Sequence, residues 1–224
     1  MFEVERIYDM KVFLGKKSFE ARRVFCIGRN YTDHIKELSD QVPEKPVIFM
    51  KPESSLVPEG VEIEFPTHGK EFHYETELVL LIGREGRPDN VGKAMDHVAG
   101  ISLGFDLTMR DVQRYLLPKG LPWELCKAFD QSAPIGKFAG IEKIKDLKGI
   151  EFFGKVNGKV VQHGNSGQMI NSFETLVFEI SQAWKLLPGD LIYTGTPAGI
   201  GPVNRGDTIT AESDEIGSFS WKIK

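Results

Sequence analysis

Apolar residues along this chain recur mostly in short alternating or continuous runs, and helical spacing holds in three places. Residues 172–186 set Phe173, Leu176, Val177, Ile180 and Trp184 on one helical face, with Pro188-Gly189 as a stop. This is the longest predicted helix. Two shorter ones are expected: 32–38, after an Asn30-Tyr31 turn with Asn30 or Thr32 as cap, and 108–116. In the second, Thr108 and Asp111 resemble a capping box with a shortened acid. The remaining apolar runs read as strands, at 47–50, 74–82, 98–105, 151–156, 160–162, 191–194 and 208–212. Asn157-Gly158 between two Lys-Val pairs is a two-residue hairpin signal, because both residues tolerate positive φ. Strands that are not separated by regular helices argue against a doubly wound parallel sheet. The expected fold class is β-rich α+β, with a few short helices at its edge.

Composition narrows this picture. A chain of 224 residues with 41% hydrophobic and 27% charged residues is an ordinary globular sequence, long enough for one sizeable core. The 23 Gly and 12 Pro exceed their usual combined share of about 12%, in keeping with many turns and short strands. Lys and Arg total 28 against 32 acidic residues, a net charge of −4 without a basic cluster, so no nucleic-acid partner is expected. The longest apolar stretch, 78–82, is far short of the roughly 20 residues of a membrane span. The N-terminal MFEVERIYDM lacks an apolar signal core, so no membrane association and a cytoplasmic location are expected. Cys26 and Cys126 have no neighbouring cysteine at metal-site spacing and read as buried thiols.

Candidate chemistry is densest in HYETELVLLIG. In a strand, Glu75 and Glu77 share a face that continues into Val79 and Leu81, which sets two carboxylates at the mouth of a core. Such a pair suits a hard cation, Mg²⁺, Mn²⁺ or Ca²⁺, although an exposed acidic sheet edge gives the same pattern. Asp106, at the end of the run 100–105, offers a third carboxylate, with Asp96, Asp111 and Glu64 as competitors. Arg110 and Gln113 are neighbours on one helical face, placed either to hold a substrate carboxylate or simply to meet solvent. His34 and Glu37 have the same spacing, that of an imidazole oriented by a carboxylate or of a chance surface pair. Lys51 and Lys127 lie in apolar contexts, FMKP and WELCKAF, where a lysine either snorkels or is held by an anion. GTPAGIG meets neither phosphate-loop pattern and reads as a rigid loop approaching a ligand, with the Thr196 hydroxyl on offer.

Taken in order, GRNYTDHIKEL, FMKP, HYETELVLLIG, FDLTMRDVQ, GLPWELCKAFD and YTGTPAGIGPV resemble the fumarylacetoacetate hydrolase family, in particular its short acylpyruvase and oxaloacetate decarboxylase members. The likeness runs from about Val24 to the C-terminus, so residues 1–22 are expected to be a short N-terminal segment and 23–224 one catalytic domain. The resemblance implies a roll of mixed β-sheets, usually a homodimer. It also implies Glu75, Glu77 and Asp106 as ligands of Mg²⁺ or Mn²⁺, with Ca²⁺ as a crystal substitute. His34 and Glu37 would activate water, and Lys127 would sit near the substrate oxygens. Lys51, Arg110, Gln113 and Thr196 match pocket positions. Thr76, between two ligands, should face the other way. The implied substrate is a small keto acid, and the implied reaction is carbon–carbon cleavage of a 2,4-diketo acid to pyruvate and a carboxylic acid. The alternatives are oxaloacetate decarboxylation or tautomerisation, and isomerisation or decarboxylation of an aromatic-degradation intermediate.

Overall fold

The computed structural model describes residues 10–37 and 42–224. Its centre is the hairpin of Thr76–Ile82 and Val98–Phe105, whose strands pair antiparallel from Thr76 opposite Phe105 to Ile82 opposite Val98. Every side chain of Thr76–Ile82 is buried, because both faces of the sheet are covered. Alternation then divides the apolar residues: Leu78, Leu80 and Ile82 enter one core with Phe25, Leu103 and Ile192, while Val79 and Leu81 enter a second with Cys26, Leu191 and Tyr193.

Around this hairpin an eight-stranded mixed sheet runs Val47–Lys51, Val24–Gly28, Leu191–Tyr193, Thr76–Ile82, Val98–Phe105, Ala133–Ile135 and Leu56–Pro58, with Ala139–Gly140 beside Val98–Phe105. Leu191–Tyr193 lies parallel to Val24–Gly28, and Ala133–Ile135 parallel to Leu56–Pro58; the other pairings are antiparallel. A four-stranded antiparallel sheet, Lys159–Asn165, Glu151–Val156, Thr208–Ser213 and Gly217–Lys222, closes over one core with Trp221 and Phe152. Three very short strands, Gly201–Pro202, Phe72–Tyr74 and Thr108–Met109, form a third sheet. The fold is thus a curled, mixed β-structure with few short helices.

The helix Phe173–Ala183 begins where Ser172 accepts the Thr175 N–H, and it buries Phe173, Leu176, Val177 and Ile180. Asn157 and Gly158 make the expected turn, both at positive φ. The helix Thr32–Glu37 starts as expected, and its expected last residue, Leu38, lies outside the described residues. Two local expectations change. Residues 108–109 are strand, and the helix opens at Arg110. The Thr108 hydroxyl donates to the Asp106 carbonyl, whereas the Asp111 carboxylate accepts the backbone N–H groups of Lys70 and Glu71, so no capping box forms. Among the described residues no helix is long and apolar enough to cross a membrane.

Candidate active site

The expected strand 74–82 is broken at Glu75. Residues Phe72–Tyr74 belong to the small sheet and Thr76–Ile82 to the large one, so the chain changes sheets at this residue. Its hairpin partner does the same between Phe105 and Thr108. At the crease the Asp106 N–H donates to the Glu75 carbonyl over 2.8 Å. Both carboxylates therefore project where the chain passes from one sheet to the other. Glu77, two residues into the strand, shares their side. One carboxylate oxygen from each of Glu75, Glu77 and Asp106 lies within 4.8 Å of the others, and all three residues are buried.

Cations surround two of the three acids. Lys127 Nζ is 2.7 Å from Glu75 and 2.6 Å from Asp106, Lys51 Nζ is 2.8 Å from the other Asp106 oxygen, and Arg110 pairs with Glu75 and donates to the side-chain Oε1 of Gln113. Burial opposes ionisation of Glu75, but Lys127 and Arg110 hold its carboxyl well below the usual range. Burial likewise disfavours the Lys127 ammonium, yet Asp106 and Glu75 keep it charged. Glu77 is different. It accepts the Gly195 N–H at 2.8 Å, and burial together with the adjacent Asp106 charge pushes it well above the carboxylate range. Among the described residues no cation pairs with Glu77, and an all-oxygen donor set of three converging carboxylates fits a hard divalent cation at that corner.

A cavity of about 270 Å³ opens on this cluster, lined by His34, Glu37, Glu75, Glu77, Arg110, Gln113, Lys127 and Thr196. His34 is buried, and its Nδ1 stands 3.5 Å from Glu37. Burial lowers the imidazole pKa, against the pull of Glu75 and Glu37. Glu37 also accepts the Gly199 N–H at 3.2 Å. Thr196 Oγ1 is buried at the cavity wall. The loop that carries these groups turns through Gly195 and Gly199, both in the left-handed region, and a Cβ on Gly195 would stand 2.7 Å from that of Asn30.

The structure thus brings together nine of the ten expected site residues around one cavity or directly behind its wall, with Asp106 behind. Lys51 lies one step further back, against the other oxygen of Asp106. Its side chain has no exposure, and its ammonium donates to the carbonyls of Lys127, Leu107 and Ser132 and to the Ser132 hydroxyl besides pairing with Asp106. It supports the wall and does not face the cavity. Three contributors carried little sequence signal. Arg29, in the left-handed region, and Trp123 line the cavity. Asn30, a candidate helix cap in the sequence, instead donates to the Thr194 and Asn171 carbonyls and accepts the Asn171 N–H, bracing the loop before Gly195.

The structure is a curled mixed sheet with a buried carboxylate triad at its crease, and similarity assigns the family. The model of the fumarylacetoacetate hydrolase C-terminal region matches residues 23–224. The chain belongs to the fumarylacetoacetate hydrolase family, a family of enzymes. It is 41% identical to the mitochondrial oxaloacetate tautomerase of Mus musculus over 203 residues, which is 91% of this chain and 92% of that protein. It is 42% identical to the mitochondrial oxaloacetate decarboxylase of Dictyostelium discoideum over 189 residues, 84% and 87% of the two chains. The crystal structure of a fumarylpyruvate hydrolase from Pseudomonas aeruginosa in complex with Mn²⁺ and pyruvate superposes with a TM-score of 0.93 at 34% identity, covering 100% of this chain and 99% of that one.

Proposed function

We propose that this chain is a divalent-metal-dependent hydrolase of 2,4-diketo acids, acylpyruvates or fumarylpyruvate-like compounds, releasing pyruvate and a carboxylic acid. One observation carries the reading: the His34–Glu37 pair opens onto the same cavity as Glu75 and Glu77. A site that held a cation for structure alone would have no use for an oriented imidazole.

Glu75, Glu77 and Asp106 would hold Mg²⁺ or Mn²⁺, and the bound ion would supply Lewis acidity to the carboxylate and 2-keto oxygens of the substrate. Glu37 faces Nδ1 of His34, which favours the tautomer with a proton on Nδ1 and leaves Nε2 as the base. Nε2 takes a proton from water, the hydroxide oxygen bonds to C4, and the C3–C4 bond breaks. Its electron pair passes into the enolate of pyruvate, whose C3 takes up a proton in turn. Lys127, held charged by its two carboxylates, is the cation beside the developing enolate oxygen. Arg110, Gln113 and Thr196 supply donors for the substrate carboxylate.

Oxaloacetate decarboxylation or tautomerisation is the second reading, favoured by the names of the two curated relatives. Decarboxylation runs through the same pyruvate enolate after loss of CO₂, tautomerisation through the enolate of oxaloacetate itself by proton transfer at C3, and neither uses an attacking water. Loss of the ultraviolet absorbance of the acetylpyruvate enol, followed with and without Mg²⁺, tests the first reading. Metal-dependent loss supports it, and an unchanged spectrum together with rapid oxaloacetate turnover moves the assignment to the second.

A further inference from the structure

We infer that Gln162 is a positioning residue, a buried amide in the four-stranded sheet that fixes the water-activating pair relative to the carboxylate triad. The inference rests on the reading of His34 and Glu37 as that pair. Gln162 lies in Lys159–Asn165, a strand that otherwise turns polar residues outward, yet it is only 2% exposed. A bulge explains the inversion. Gly154 pairs with Gln162 and Lys155 with Val160, so Val161 is the extra residue that re-aims its neighbour inward.

All four hydrogen-bonding capacities used by this amide point at the site. Oε1 accepts the Thr76 N–H at 2.9 Å and the Thr76 hydroxyl at 2.7 Å, while Nε2 donates to Thr196 Oγ1 and to the Pro197 carbonyl, both at 2.8 Å. The partners fix the amide's orientation, since a backbone N–H can only donate and a carbonyl can only accept. Thr76 stands between Glu75 and Glu77. Thr196 and Pro197 lie in the loop whose two ends donate to the other carboxylates, Gly195 N–H to Glu77 and Gly199 N–H to Glu37. One side chain therefore ties the metal-side strand to the loop that holds Glu37, and through it His34.

Space is kept for this clamp by glycine on both sides. A Cβ on Gly154 would stand 2.1 Å from Thr76 Oγ1, and one on Gly199 would stand 2.4 Å from the Val161 carbonyl oxygen. The triad strand is independently fixed by its hairpin partner, with Thr76 opposite Phe105. The loop is tied at its ends to Glu77 and Glu37, and Gln162 holds Thr196 and Pro197 between them, so loss of the amide acts chiefly on the dyad. Partners one layer behind a site typically matter by about 10-fold to 100-fold.

The test uses Gln162→Met, which removes all four contacts at similar volume, and Gln162→Glu, which keeps the acceptor toward Thr76 and loses the donor toward the loop. Acetylpyruvate hydrolysis and oxaloacetate decarboxylation are measured on the same Mg²⁺-saturated preparation. Both variants should lower the ratio of hydrolysis to decarboxylation by about 10-fold or more. A merely structural role would scale both rates by the folded fraction and leave the ratio fixed. The second readout is the ring resonance of His34 in the metal-free protein, with His68 and His97 as internal controls. It should move in both variants while the controls stay in place. If the parent protein does not hydrolyse acetylpyruvate, the proposed function fails and the His34 resonance still decides the inference. An unchanged ratio, or a His34 resonance identical to that of the parent, overturns it.

Discussion

The Asp106 N–H donates to the Glu75 carbonyl over 2.8 Å at the point where both strands of the central hairpin leave one sheet for another. This backbone contact fixes two carboxylates side by side without any need for their side chains to attract. The cations Lys127, Lys51 and Arg110 then compensate the charge of Glu75 and Asp106, and among the described residues no cation pairs with Glu77.

That asymmetry separates the effects of substitutions within the triad. Glu77→Gln retains an acceptor for the Gly195 N–H and replaces a buried carboxyl whose ionisation burial and Asp106 already oppose, so the metal-free protein should be as stable as the parent or more so. The variant should lose the rise in thermal midpoint that Mg²⁺ or Mn²⁺ gives the parent. In the parent, an ion at about 100 times its Kd adds roughly 2.7 kcal/mol of stability. Thermal unfolding with and without the ion measures both effects. An undiminished metal-induced rise in Glu77→Gln would remove Glu77 from the metal site.

Asp106→Asn should behave differently, because it strips a counter-ion from two buried ammonium groups at once. Removing one partner of a buried pair destabilises by about 3–5 kcal/mol. Lys51→Met should approach the same loss, since it leaves the buried Asp106 carboxylate without one of its two ammonium partners and removes a donor from the Leu107 carbonyl, while the Lys127 and Ser132 carbonyls keep the Ser132 hydroxyl and the Leu107 N–H. Denaturant unfolding in the absence of metal is the measurement. A Lys51→Met protein of parental stability with a raised KM would instead return Lys51 to the substrate pocket.

The pH dependence follows from His34. Burial lowers its pKa below the ordinary value of about 6.5, and the base is the neutral form. Hydrolytic kcat/KM should therefore be flat above about pH 6.5 and fall on the acid side through the lowered pKa. Glu37 raises the imidazole pKa, so Glu37→Gln should move that limb further to acid while the plateau drops. Stability shares the sign. For His34, and for His73, which burial and Arg110 pull down to about 4, the unfolded chain binds more protons between the folded value and about 6.5. Their contribution is present above that window and is lost as pH falls through it. An acid limb above pH 7 in the parent would contradict the assignment of His34 as base.

Much of this site was legible in the sequence because its spacing is local. The two-residue period placed Glu75 and Glu77 on one side, and the three-residue spacing placed His34 by Glu37 and Arg110 by Gln113. The break at Glu75 was hidden, since the alternation of residues 72–82 continues through a change of sheet that only pairing partners define. Val24–Gly28, buried on nearly every position of VFCIG, has no alternation to mark it as a strand. Lys51 finds its carbonyl partners 56 to 81 residues away, and a lysine before Pro gives no sign of them. Gln162 was masked by its bulge, which inverts the face that a regular strand would give it.

The most direct measurement of the central claim, that His34 activates water beside the carboxylate triad, is the pair of rates in His34→Ala. Acetylpyruvate hydrolysis and oxaloacetate decarboxylation are followed on one preparation at saturating Mg²⁺, so that loss of metal cannot imitate loss of the base. Hydrolysis should fall by on the order of 10²-fold to 10⁴-fold, the usual contribution of a general base. Decarboxylation, which keeps Lys127 and the triad and needs no attacking water, should fall far less. Equal losses on the two substrates would place the imidazole on the enolate and not on water, and hydrolysis that survives the substitution would contradict the claim outright.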